Sequence, residues 1–192
     1  MGQNAKELFL ELGIEGGEEA VIDAAAAFLR THPLFRIVPS NHDLTDHELS
    51  LLAAGGFPAP ATSLSDAITQ VAGEVGVLIA SALSQAQAAK RLGVDASRIR
   101  QRIAQRTLYA VQGNTSSKVL PLFQFTESGT LPHLEKIIPV ISASAHPMAV
   151  QRFFLSPTPD LYSEETASPL SPRDWLLTGH SPDLVIRMAA DV

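Results

Sequence analysis

The chain has 192 residues, a formal net charge of -6 and no cysteine. Without cysteine it forms neither disulfides nor thiolate metal sites, so we expect a protein of the reducing cytoplasm. Hydrophobic residues make up 45% of the sequence, which is enough for a buried core and argues against wholesale disorder. The first residues lack the pattern of a signal peptide, and the most apolar stretch, Val75–Leu83, is too short to cross a bilayer.

Residues 1–82 are predicted to form an acidic helical region. Apolar side chains recur at helical spacing between Glu18 and Leu29. A capping box at Thr45, in the stretch DLTDHELSLLAAGG, begins another helix. The stretch FPAPATS is a linker, and a long helix is predicted over Ser65–Leu83. No motif in this region indicates a function.

Residues 83–125 have the layout of a winged helix-turn-helix domain. A capping box at Ser84 and Gln87 begins a first helix, and Gly93 permits the left-handed turn that ends it. A second helix follows in the stretch ASRIRQRIAQR. Beyond it the apolar period changes, which predicts two strands around the turn QGNTSS.

Residues 126–192 are predicted to be helical again, with proline-rich loops between the helices. Two short helices close the chain, and each starts with a Ser-Pro pair; Ser171 caps the first, which ends at Gly179. The sequence therefore predicts a mainly α protein, in which a winged helix-turn-helix with a small β-hairpin is flanked by helical N-terminal and C-terminal regions.

Positive charge is concentrated in the middle region. Ser84–Phe125 holds seven basic residues and one acidic residue, whereas the segments before and after it have net charges of -8 and -4. A solvated helix face normally mixes both signs. The local excess of cations instead indicates a surface for nucleic acid, because contacts with phosphates supply most of the binding affinity.

The second helix of this region is predicted to read double-stranded DNA. With Ile99 and Ile103 facing inward, Ser97, Arg100 and Gln101 are placed to enter a major groove, where arginine pairs with guanine and glutamine with adenine. Other cations nearby are predicted to hold phosphates. The full set of predicted DNA contacts is Lys90, Ser97, Arg98, Arg100, Gln101, Arg102, Arg106 and Lys118.

Two parts of the sequence also resemble known families. The stretch LSQAQAAKRLGVDASRIRQRIAQRTLYAV, followed by LPLFQF, resembles excisionase-type and MerR-like DNA-binding heads. The stretches HPMAVQRFFLSPTPDL and LSPRDWLLTGHSPDLVIRMAADV resemble actinobacterial DNA-binding proteins encoded beside RES-domain toxins, and the end is similar to the toxin-binding region of Xre/MbcA/ParS-type antitoxins. The resemblance covers about Leu83–Val192. A hairpin wing departs from the all-helical Xre domain that is usual in such antitoxins.

The resemblance implies an antitoxin that represses its own promoter and binds a RES-domain toxin, an enzyme that consumes NAD. The residues that it implies for the toxin contact are Trp175, Leu176, Leu177, Gly179, Ile186 and Val192. From the residues alone, Trp175 has two interpretations: it anchors an interface, as tryptophans often do, or it packs the C-terminal helices onto their own domain.

Other chemistry is not expected. The cluster NHDLTDHE offers metal-ligand side chains, but the same residues serve to start a helix. The chain has neither a nucleophile elbow nor a phosphate-binding glycine loop. We therefore predict no enzymatic activity, no metal and no cofactor.

The sequence predicts a cytoplasmic, nucleoid-associated repressor that acts as a homodimer, because two-fold symmetry matches pseudo-palindromic operators. Three alternatives stay open: a DNA-binding regulator or nucleoid protein unconnected with any toxin, an adaptor whose basic helices meet an acidic protein, and a small hydrolase that uses histidines and aspartates from the loops.

Overall fold

The computed structural model describes residues 9, 14, 16–31, 47, 64–113 and 117–192. Over these residues the protein is mostly helical with small antiparallel sheets, as the sequence predicts. They divide into two compact units, one ending at Ala80 and the other spanning Ser81–Val192. Of the helix predicted near Thr45 the structure describes only His47, which is helical, and the linker FPAPATS lies outside the described residues. No helix within the described ranges is long and apolar enough to span a membrane.

The first unit contains a pair of helices, α1 (Gly17–Thr31) and α2 (Leu64–Ala80). Both overlap helices that the sequence predicts. The two helices approach closely at Gly76, where an added Cβ atom would lie 2.5 Å from the carbonyl oxygen of Val21. Ala24 on α1 and Val75 on α2 are fully buried. A side chain at position 76 would therefore force the helices apart.

The second unit begins with a strand and a pair of helices and ends with another pair of helices. Its elements are β1 (Leu83–Ser84), α3 (Gln85–Leu92), α4 (Ala96–Ala104), β2 (Val111–Gln112), β3 (Lys118–Leu120), a 3₁₀ turn (Leu122–Gln124), α5 (Leu134–Ile137), α6 (Pro147–Leu155), β4 (Tyr162–Ser163), β5 (Ser168–Pro169), α7 (Pro172–Leu177) and α8 (Asp183–Ala189).

The main sheet has three antiparallel strands in the order β1-β3-β2. Leu83 pairs with Leu120, and Val111 pairs with Val119. The sequence predicts the β2–β3 pair but not β1, because it extends the preceding helix to Leu83, whereas that helix ends at Ala80. Strand β1 leads directly into α3, so the sheet connects the hairpin to the start of the helix pair.

Local signals set the bounds of α3 and α4. The Ser84 hydroxyl accepts a hydrogen bond from the Gln87 amide at 3.2 Å, and the Gln87 side chain accepts one from the Ser84 amide at 2.8 Å. The predicted capping box is thus confirmed. Gly93 ends α3 with a φ of 64°, a left-handed conformation that glycine adopts without steric cost. Asp95 is the N-cap of α4.

A single hydrophobic core runs through the second unit. It contains Ala88, Ile99 and Leu120 from the region around α3 and α4, together with Phe154 and Val185 from the C-terminal helices. The centroids of the Phe123 and Phe154 rings lie 4.8 Å apart in a stacked arrangement. The helix pair is therefore packed on the rest of its unit. The division into regions 1–82, 83–125 and 126–192 stays a prediction.

The core also contains one fully buried amide side chain, that of Gln124. Its nitrogen donates to the carbonyl oxygens of Tyr109 and Pro121 at 2.7 and 3.1 Å, and its oxygen accepts from the Tyr109 amide at 2.9 Å. The side chain thus satisfies both backbone groups of a residue that precedes β2, which removes the cost of burying them.

Candidate nucleic-acid interface

Helix α4 has one buried side and one exposed side. Ile99 is fully buried and Ile103 packs partly against the core. Ser97, Arg100 and Gln101 are all exposed, as the sequence predicts from the inward placement of the two isoleucines. The alternation follows from the 3.6-residue period, which brings residues 97, 101, 104 and 105 onto one face. We call the exposed residues of α4, together with Lys90 and Lys118, the basic face.

The cations of the basic face are exposed and have no acidic partner among the residues that the structure describes. Lys90, Arg98, Arg100 and Lys118 are all solvent-exposed. Among the described residues, no carboxylate forms a salt bridge with any of them; an ion pair that does form joins Arg173 to Asp174 at 3.9 Å. Because these charges are not neutralised within the described chain, they remain available to phosphates.

Arg98 does engage another residue of the basic face. Its guanidinium donates to the Gln101 side-chain oxygen at 2.6 Å, one turn further along α4. A glutamine that reads adenine uses both its oxygen and its nitrogen. In this structure Arg98 therefore occupies one of the two lone pairs of the Gln101 side-chain oxygen.

Arg102 turns towards its own chain. It is half-buried, and its guanidinium donates to the Thr107 carbonyl oxygen at 3.4 Å. Burial is the main cause that lowers the pKa of Arg102, the charge of Arg98 adds to this effect, and Glu135 opposes it. Arginine nonetheless stays protonated in proteins. Its charge lies behind the basic face rather than on it.

Arg106 is held more firmly. It has a φ of 54°, which is unusual for a residue with a side chain. Its guanidinium donates to the carbonyl oxygens of Ile138, at 3.0 Å, and Ile141. These bonds attach the chain that leaves α4 to the segment that follows α5. Arg106 is half-buried, so its predicted role as a phosphate contact competes with a structural one.

Lys118 begins strand β3 and pairs with Gln112 across the hairpin. Its backbone carbonyl accepts a hydrogen bond of 3.5 Å from the Gln85 side chain at the start of α3. The intervening residues 114–116 lie outside the described ranges. The sheet thus places Lys118 beside the same helix pair that carries Lys90.

The predicted set of DNA contacts omits two residues near the basic face. Gln105 is exposed and lies four residues after Gln101, so helical spacing alone is enough to include it. Arg91 donates to the Thr126 carbonyl oxygen at 3.0 Å, and its guanidinium lies 5.8 Å from the centre of the Phe125 ring. No local signal indicates this contact, because its partners come from elsewhere in the chain.

The residues implied for a toxin contact lie on α7, α8 and their connections, and they differ in exposure. Leu176 is fully buried, and Trp175, Ile186 and Val192 pack partly against the core. Leu177, in contrast, is 42% exposed, and Gly179 is exposed with a φ of 84°.

Trp175 takes part in the packing of its own helices. Its indole nitrogen donates to the Ser181 carbonyl oxygen at 2.9 Å, and the centroid of its ring lies 3.9 Å from that of His180. Both contacts fix the connection between α7 and α8, which agrees with the alternative that Trp175 packs the C-terminal helix pair.

The described residues contain no group of three histidines, aspartates or glutamates that could hold a metal ion. Of the acidic and histidine-rich cluster NHDLTDHE, the structure describes only His47. The metal hypothesis for that cluster therefore falls outside the described residues.

Comparisons with known proteins give one structural likeness. No family model and no curated protein matches the chain. Among solved structures, the chain is similar to the NMR structure of Rv2175c, with 22% sequence identity and a TM-score of 0.43. The similarity covers 57% of this chain and 79% of that one. A likeness of this degree does not establish a function.

Proposed function

We propose that the protein is a sequence-specific DNA-binding regulator that inserts α4 into the major groove. The observation that carries the proposal is the basic face. Its exposed cations have no acidic partners in the described chain and lie on or beside a helix anchored by a buried isoleucine, in a protein whose net charge is -6. Such a cluster attracts a polyanion even in an acidic protein, because contacts between cations and phosphates supply most of the binding affinity.

The order of elements supports a winged helix-turn-helix. Strand β1, the α3–α4 pair and the β2–β3 hairpin follow one another, and β1 pairs with β3. In this arrangement α4 is the recognition helix, and the hairpin is a wing that contacts the flanking backbone through Lys118. Arg100 and Gln101 read bases, while Lys90 and Arg98 hold phosphates.

A footprint on the protein's own promoter at low salt tests this function. We expect protection of a short duplex site by the wild-type chain. Replacing Arg100 and Gln101 together by alanine removes the sequence preference, because each bidentate base contact contributes about 1–3 kcal/mol of discrimination. Arg187→Ala on α8, an exposed site outside the basic face, is the matched control and keeps the footprint.

Two outcomes would contradict the proposal. A double variant with an unchanged footprint would show that α4 does not read the site. A wild-type chain that gives no footprint at low salt, but co-purifies with an acidic protein, would favour the adaptor function.

The resemblance of the C-terminal region extends the proposal to an antitoxin that acts as a homodimer and represses its own promoter. A neighbouring gene for a RES-domain protein would be the partner to co-express. Leu177, which is 42% exposed, is the residue of the implied contact to replace first, since Leu177→Glu changes the surface without emptying the core. Loss of co-purification is the expected result, and an unchanged complex would exclude this contact.

A further inference from the structure

A cavity of about 190 Å³ opens beside the basic face. Its walls come from the end of α4, the chain that leaves α4, strand β3 and the segment after α5. Ile103 and Ile138 supply apolar surface, and Tyr109 and Ser142 supply hydroxyl groups. Neither the predicted DNA contacts nor the implied toxin contact accounts for a concave site at this place.

The charge of the cavity has one sign. Arg106 and Lys118 line it, and none of the described residues in its wall is acidic. The guanidinium of Arg106 is held in place by the carbonyl oxygens of Ile138 and Ile141, so this charge is fixed in position. Lys118 forms no salt bridge with a described acid and its side chain is exposed. A ligand that enters is therefore selected for negative charge.

Tyr109 adds a hydrogen-bond donor. Its ring packs at 5.9 Å from the ring of Phe123, measured between centroids, which fixes the side chain in the wall. Its hydroxyl makes no hydrogen bond with any residue in the part of the chain that the structure describes. Burial raises the pKa of Tyr109 to about 12, so the hydroxyl keeps its proton at neutral pH. A carboxylate is a suitable acceptor for it.

The size of the cavity limits the ligand. Its volume is about 190 Å³. It lies below the range of roughly 300–1,000 Å³ that is usual for larger ligands. A small ligand therefore fills the cavity better than a nucleotide or a dinucleotide cofactor does. A bare inorganic anion would make no favourable contact with the apolar part of the wall.

We propose that this cavity binds a small organic monocarboxylate with a short apolar body, and that the bound ligand weakens DNA binding. The effect of the ligand on DNA binding rests on the proposed function. The carboxylate pairs with Lys118, which is predicted to contact the DNA backbone. Lys118 is then no longer available to a DNA phosphate. Ile103 belongs to α4 and Lys118 to β3, so one ligand contacts both the recognition helix and the wing.

The first experiment needs no DNA. The full chain is titrated with benzoate while its backbone amide resonances are followed by NMR. We expect saturable shifts at residues 103–110, around Lys118 and at residues 138–143. Benzamide, which keeps the apolar body without the charge, and inorganic phosphate, which keeps the charge without the apolar body, should each bind at least about tenfold more weakly, or about 1.4 kcal/mol.

Two variants and one control sharpen this test. Lys118→Gln removes the exposed cation and should weaken benzoate binding about tenfold. Ala143→Leu fills the cavity from an exposed position in its wall and should abolish binding without loss of the fold. Lys136→Gln removes the same charge from an exposed site outside the wall and should leave the affinity unchanged.

Three results would contradict the proposed binding of a carboxylate in this cavity. One is the absence of saturable shifts. Another is phosphate binding as tightly as benzoate, which would mark a subsite for the DNA backbone. The third is benzoate binding that survives in Ala143→Leu.

The second experiment adds a random-sequence duplex. Saturating benzoate should weaken DNA binding and reduce the slope of log K against log salt by about 0.9, the value of one lost phosphate contact. If benzoate shifts the amide resonances but the chain binds no DNA, the proposed DNA-binding function is wrong, whereas the carboxylate site is still supported. Normal DNA binding that benzoate does not change would overturn the effector role alone.

Discussion

Arg106 shows how the surroundings of a residue decide the use of its charge. From the sequence it is one more cation after the recognition helix. In the structure its guanidinium is occupied by the carbonyl oxygens of Ile138 and Ile141, which lie 32 and 35 residues along the chain. No pattern local to Arg106 encodes those partners.

We therefore predict that Arg106→Ala lowers stability more than it changes DNA electrostatics. Leaving the carbonyl oxygens of these two buried isoleucines unpaired should reduce the free energy of unfolding by about 1–3 kcal/mol, measured by denaturant unfolding. The slope of log K against log salt on a random duplex should stay unchanged. Arg98→Ala, an exposed matched control, should reduce that slope by about 0.9. The opposite pattern would make Arg106 a phosphate contact.

Because the pKa of Tyr109 is raised in the folded chain, we expect the free energy of unfolding to depend on pH in the alkaline range. Burial raises the pKa of Tyr109 from 10.0 to about 12. Between these values the unfolded chain loses its proton first, so ionisation favours the unfolded state and the free energy of unfolding falls as the pH rises. The total loss is about 2–3 kcal/mol, because the two pKa values differ by about two units and each unit corresponds to about 1.36 kcal/mol.

The measurement is denaturant unfolding at several values of pH between 9 and 12, a window chosen from the two pKa values of Tyr109. Tyr109→Phe should lose less stability over this range than the wild type does. Tyr162→Phe, at a position that is 53% exposed, keeps Tyr109 and should keep the wild-type loss. Equal losses in Tyr109→Phe and the wild type would exclude Tyr109 as the cause.

At the scale of elements, local chemistry determines the helix pair. The capping box at Ser84, the left-handed glycine at position 93 and the small buried Ala88 are each visible in the sequence, because they depend on neighbours within one or two turns. Strand β1 could not be predicted, because it depends on a partner that is distant in the sequence. Its two residues pair with β3, whose distance along the chain leaves no trace in a window around Leu83.

The turn between α3 and α4 gives an element-scale prediction. Nothing lies within 4 Å of a Cβ atom built on Gly93, so Gly93→Ala meets no steric clash and bears only the cost of its φ of 64°. We expect a loss of about 1–2 kcal/mol in the free energy of unfolding, with a parallel loss of DNA affinity if the angle between the helices changes.

Gly129→Ala is the matched control for this prediction. Gly129 also has open space around its Cβ position, but its φ is not in the left-handed region. The substitution should change the free energy of unfolding by less than about 0.5 kcal/mol. If both variants behave alike, the left-handed turn does not contribute to the stability of the helix pair.

At the scale of the whole molecule, opposite charges are separated along the chain. The middle segment has a net charge of +6 within a protein of -6. Composition predicts this separation, and helical periodicity predicts which side of α4 is exposed. The shared core of the second unit, with Ile99 and Phe154 in one cluster, could not be predicted, because tertiary packing joins residues distant in sequence.

Amide hydrogen exchange of the full chain, with and without a saturating random-sequence duplex at low salt, shows whether α4 contacts DNA. We expect DNA to slow exchange in α4 and in the strands of the hairpin, and added salt to reverse the effect. Slowed exchange confined to α1, α2 or the C-terminal helices, with α4 unchanged, would contradict it.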